Sequence, residues 1–259
     1  MNKPVLAVLA ILAAQPAAAM NPLTVTLESE APGLQRSTAG FASVGVEDFN
    51  GRRVRDNQTF VSDFGGSVFR GHYRGVDVKS ADRYGGADGS GNYAATFSSS
   101  GYRLDLSTSD PDGINYFGFW LSALDRGNSV TFFSKGEALF TFSAGEAKQF
   151  IDSLPGKGGY YCNPNASFAR QNCGEPYAFL NFYARGNTRF DSVLFAESPE
   201  VGGYESDNHT VGRWTRMSGT VVPLSGSAGA VPEPAAWALM LTGFGMVGLS
   251  RRRSPAVAA

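Results

Sequence analysis

The sequence predicts an all-β fold, an antiparallel β-sandwich of jelly-roll type with one short helix, and three observations carry that expectation. Apolar and polar residues alternate with period two at 23–27, 76–78 and 102–106, the pattern of strands buried on one face. Gly (32) and Phe (19) are abundant while charged residues make up only 17% of the chain, so turn formers and strand formers dominate. The single stretch with helical period is short. About 210 residues lie between the two terminal segments described below, a length suited to one β domain over 20–224.

Residues 114–124 carry apolar or aromatic side chains at both parities, which predicts a strand covered on both faces. Asp125-Arg126-Gly127-Asn128 reads as a turn, 129–134 as a strand, Lys135-Gly136 as a tight turn and 137–142 as the returning strand. Ser143 with Glu146 forms a capping box, Ala147, Phe150, Ile151 and Leu154 line one helical face, and Pro155-Gly156 ends the helix. Further strands are expected at 177–183, 190–197, 203–211 and 217–222, then a flexible Gly/Ser/Ala spacer at 225–230. Cys162 and Cys173 form an even, closely spaced pair, read as one disulfide stapling a loop with little apolar content.

Both termini carry targeting signals. Lys3, the apolar run 5–14 and the A-x-A site Ala17-Ala18-Ala19 before Met20 make residues 1–19 a signal peptide, cut after Ala19. At the other end Pro232-Glu233-Pro234 and Trp237 precede an apolar run of sixteen residues, about 235–250, then the basic stop Arg251-Arg252-Arg253. At about 1.5 Å per residue that helix spans roughly 24 Å, short of a hydrocarbon core of about 30 Å. The arginines hold the carboxyl end on the cytoplasmic side. A short transmembrane sorting helix fits better than an ordinary single-pass anchor.

Pro-Glu-Pro, Trp237-Ala238, the Gly243–Gly248 helix segment and the arginine cluster together resemble the PEP-CTERM sorting signal in its PEPxxWA variant, over 231–259. The core stretches 115–125, 175–182 and 204–209 are similar, more weakly, to exosortase-dependent surface proteins that carry this signal. The resemblance implies processing by an exosortase-type protease and a precursor held transiently in the inner membrane. It also implies a final location on the surface or in the extracellular matrix of a Gram-negative bacterium, and it implies no chemistry.

The residues argue for a non-catalytic role. Without Lys3, Glu233 and the three terminal arginines the chain is acidic by about four charges, which excludes a basic nucleic-acid surface. Only His72 and His209 are available as imidazoles, and no G-x-S-x-G elbow is present, so a secreted hydrolase is the third reading. A carboxylate pair for glycoside hydrolysis would draw on Glu47, Asp48, Glu175, Glu197 or Glu205. The second reading is a carbohydrate-binding or adhesive module, for an extracellular polysaccharide, with Tyr84, Tyr93, Tyr160, Tyr161 or Trp214 as platforms. It requires two of those rings to be coplanar and open to solvent. No cofactor is expected; calcium would draw on Asp110-Pro111-Asp112-Gly113 or on residues 88–92, neither a complete loop motif.

Overall fold

A computed structural model describes residues 21–29, 36–198 and 202–224. The signal-peptide site Ala17, Ala19 and Met20, the spacer 225–230 and the tail with Pro232, Glu233, Pro234, Trp237 and Arg251, Arg252 and Arg253 lie outside the described residues. The described part is antiparallel β with one α-helix. Its strands are β1 (Leu23–Ser29), β2 (Gly40–Glu47), β3 (Arg55–Ser62), β4 (Phe69–Ser80), β5 (Asn92–Ala95), β6 (Gly101–Thr108) and β7 (Tyr116–Ser122). They continue with β8 (Asn128–Ser134), β9 (Glu137–Ser143), β10 (Ala178–Ala184), β11 (Ser192–Glu197), β12 (Glu205–Arg216) and β13 (Thr220–Val221). Helix α1 (Ala144–Ser153) starts at the expected capping box: Ser143 Oγ accepts from the Gly145 N–H and the Glu146 carboxylate from the Ser143 N–H.

These strands form one hydrogen-bonded sheet in the order β13-β1-β10-β7-β12-β5-β4-β6-β11-β8-β9, with β2 added to β12 and β3 to β4. The sheet curls until its two halves face each other. Phe182 of β10 packs on Phe132 of β8 at 4.8 Å and on Phe142 of β9 at 5.4 Å, and Phe119 of β7 meets Phe195 of β11 at 5.1 Å. The halves are joined at one corner, where β12 and β5 share the single pair Ser206↔Ala94. Burying this many large rings between the halves supplies the main favourable term for the fold.

Strands β7 and β10 are buried on both faces, as their mixed parity predicts. Phe117, Phe119 and Leu121 point into the core, while Trp120 joins Ala87, Tyr177 and Phe179 in a satellite cluster on the outer face. Three strands escape the sequence pattern. β2 is mostly half-buried, β3 is largely exposed, and β5 is four residues long, so none shows enough alternation to be read. β12 runs five residues beyond its expected end, to Arg216, because its exposed half pairs with β2.

Candidate functional site

The outer-face cluster is covered by two loops that hold each other. The disulfide Cys162–Cys173 closes the second of them, as the spacing predicts. That loop contributes little apolar surface and is fastened through side-chain amides instead. Asn163 Nδ2 and Tyr177 Oη donate to the Arg83 carbonyl at 3.0 and 2.7 Å, and Asn165 Nδ2 donates to the Gly86 carbonyl at 3.1 Å. The loop after β4 is thereby fixed against the start of β10.

At the rim of this assembly lies a cleft of about 450 Å³ lined by Asp82, Tyr84, Phe97, Ala123, Asp125, Glu175, Gly202 and Glu205. Its four carboxylates come from separate places: the loop after β4, the turn after β7, the segment just after the stapled loop and the first residue of β12. Gly202 and Gly203, both at positive φ, bring the chain into β12 so closely that a Cβ at either would collide with Asp125 or Phe97. Glu197 stands behind the cleft, accepting from the Gly203 N–H at 3.0 Å and the Thr96 hydroxyl at 3.4 Å.

The carboxylates differ in how well they are satisfied. Asp82 Oδ1 accepts from the N–H groups of Tyr84 and Gly85, and Glu175 from the Asn172 amide at 2.6 Å. Glu205 is only 3% exposed and its Oε2 has no hydrogen-bond partner. Directly across on β7, Ser122 Oγ is also buried without a partner, as is Trp120 Nε1 two residues along the same face. Burial pushes the Glu205 carboxyl well above its ordinary range, and the charges of Asp125, Glu175 and Asp82 push it further. Asp125 rises to about 6, first through burial, then through Glu175 and Glu197. No ion pair reaches Asp82, Asp125, Glu175 or Glu205 among the described residues.

The expected candidates divide sharply. Glu175, Glu197 and Glu205 converge here, whereas Glu47 pairs with Arg52 beside β2 and Asp48 caps a surface turn there. Sequence reasoning missed Asp82 and Asp125, which look like ordinary turn residues; only the antiparallel topology brings their loops to one end. The five rings proposed as sugar platforms lie in different surroundings. Tyr93 and Tyr160 are buried, Trp214 packs edge-on against Tyr183 and donates to the Ala184 carbonyl, Tyr161 is bound to Lys148 and Asp152, and Arg83 covers Tyr84. Asp110 and Asp112 of the D-x-D-G segment both face Arg213, so a guanidinium occupies the place a cation would take.

His209 sits in the core, not the cleft. Its Nδ1 is 3.0 Å from the Tyr73 hydroxyl and its Nε2 is 3.0 Å from Ser206 Oγ, with Phe195 stacked at 5.0 Å. Burial lowers its pKa to about 3, so it stays neutral. A Ser–His pair therefore exists, but Ser206 and His209 are wholly inaccessible and a tyrosine stands where a triad needs a carboxylate. His72 lies on β4, near Arg74 and away from the cleft.

These features describe an antiparallel β protein with a disulfide-stapled loop and an acidic cleft. Its destination is written in the tail: residues 230–254 match the PEP-CTERM protein-sorting motif. A motif of this kind marks a protein exported and sorted to the cell surface by an exosortase-type system in Gram-negative bacteria. The match is confined to the tail, and comparison with curated proteins and with solved structures finds no match, so the expected likeness over the core gains no support.

Proposed function

We propose that this chain is a non-catalytic protein of the cell surface or extracellular matrix, exported behind residues 1–19 and folded as one domain over 20–224. The tail then holds it transiently in the inner membrane until an exosortase-type protease processes it near Pro232–Pro234. The match at 230–254 carries the reading. The facing halves of the curled sheet support a sandwich of jelly-roll type, and the disulfide suits an oxidising exterior. The sealed Ser206–His209 pair supports a role without nucleophilic catalysis.

The test replaces Pro232-Glu233-Pro234 with three alanines. The signal peptide and apolar helix are untouched, so export proceeds, processing stops, and the protein accumulates in the inner membrane. Fractionation with an antibody to the β domain reads the outcome. A variant that reaches the surface at normal mobility sinks the sorting reading and leaves an ordinary anchor, whose apolar helix the alanines merely lengthen.

A further inference from the structure

We infer that the cleft formed by Asp82, Asp125, Glu175 and Glu205 binds a hard divalent cation, calcium in an extracellular setting, which ties four separate chain segments together. Only the choice of calcium rests on the proposed export; the site itself stands on geometry and charge.

Three observations lead there. First, four carboxylates from four segments line one cleft with no basic partner among the described residues. Arg83, the nearest cation on the loop after β4, lies over the Tyr84 ring, and Lys148 of α1 is committed to Asp152. Second, Glu205 is buried with one carboxylate oxygen unpartnered and lines the cleft. A buried, unpaired acceptor is costly enough that native structures supply it with a ligand, ion or water. Third, every candidate donor here is a carboxylate oxygen: the cysteines are bonded to each other and both histidines are elsewhere.

An all-oxygen site selects a hard cation, and one assembled from loops suits calcium, which accepts six to eight ligands in irregular arrangements, better than magnesium. A neutral sugar would satisfy hydroxyl-accepting oxygens yet leave the charge in place. No three acidic side chains among the described residues are gathered closely enough to hold a metal as they stand. Asp125 and Glu175 share a hydrogen bond, and a cation would take the place of the proton between them and draw Asp82 and Glu205 toward the pair.

Terbium, a luminescent substitute for calcium, tests this on the purified full chain in detergent. Excitation of the neighbouring aromatic rings at pH 7.5 is expected to give sensitised emission that calcium displaces, and calcium is expected to raise the melting temperature. Glu205→Gln should abolish both responses, Asp125→Asn should weaken affinity at least tenfold, and Asp110→Asn should change neither. If Glu205→Gln fails to fold, Asp125→Asn decides alone. Absence of emission and of a thermal shift in the parent chain overturns the site, as does a response that survives both cleft variants. Neither result bears on sorting, which the tail variant tests separately.

Discussion

Glu205 and His209 lie four residues apart on β12, both buried, and they obey opposite rules. His209 faces inward with a hydrogen bond at each ring nitrogen, whereas Glu205 faces outward with an oxygen unmatched. A β-bulge makes the division. Between Asp207 and Thr210 the register against β7 shifts by one residue, and Asn208 takes a positive φ of 49°. Ser206 and His209, three apart, thus share the inner face, while Glu205 and Asp207 share the outer one. Asp207 is buried too, but it accepts from the N–H groups of Ala87 and Asn208. Buried polarity on the inner face is a closed structural network; at the outer end it is an open one, and openness marks the site.

The two environments also give stability opposite slopes with pH. His209 is held near 3 in the fold, below its ordinary 6.5, so on acidification the unfolded chain takes the proton first. Its contribution is complete above about 6.5 and is lost toward 3, at up to about 1.4 kcal/mol per pH unit. Asp125, raised from 3.8 to about 6, takes its proton first in the fold. Its contribution is present below about 4 and is lost as pH rises through about 6.

The largest break in this comparison is His209→Ala. Removing the ring opens a cavity among Phe49, Phe117 and Phe195 and strands the Tyr73 hydroxyl, while Ser206 keeps the Tyr102 hydroxyl at 2.8 Å. A loss of about 3–5 kcal/mol in urea unfolding at pH 7 is expected, with the acid slope flattened. A loss below about 1 kcal/mol would mean that the inner network is not structural.

Next comes the staple. Cys162→Ser with Cys173→Ser should cost about 2–3 kcal/mol, because the loop is held by few apolar contacts of its own. Alkylation of the folded chain without reductant should label neither cysteine. Since Asn163, Asn165 and Tyr177 clasp the loop after β4, the double variant should also loosen the cleft and weaken any cation response. A labelled thiol in the folded, exported chain rules the bridge out.

How much of this was legible depended on whether a signal was local. The capping box at Ser143, the doubly covered β7, the hairpin of β8 and β9 and the cysteine pair are each local in sequence, and each reads correctly. β2 and β3 are half-exposed ribbons whose burial depends on which strand edge they join, so their sequences carry no strong period. The cleft is less legible still. Asp82 and Asp125 are turn residues by every local criterion, and nothing local distinguishes Glu205 from the other four acidic candidates. What singles it out is Ser122 across the strand and Gly202-Gly203 beside it, and both relations are tertiary.

The subtlest effect belongs to Glu205→Gln, and it separates a ligand site from a structural acceptor. The amide is isosteric and uncharged, and Ser122 across the strand is free to partner it. In chelator at pH 5, where burial and the neighbouring carboxylates keep Glu205 protonated, the variant should match the parent within about 1 kcal/mol. As pH rises the parent must ionise a buried carboxyl beside Asp125, Glu175 and Asp82, or hold its proton against the solvent, and the amide faces neither demand. The variant should therefore become the more stable of the two by pH 8, and added calcium should erase that advantage by stabilising the parent alone. Urea titrations at the two pH values, with and without calcium, read all four quantities. A uniform loss above about 2 kcal/mol at both pH values would instead make Glu205 a structural acceptor like Asp207, and the contrast between the two faces of β12 would disappear.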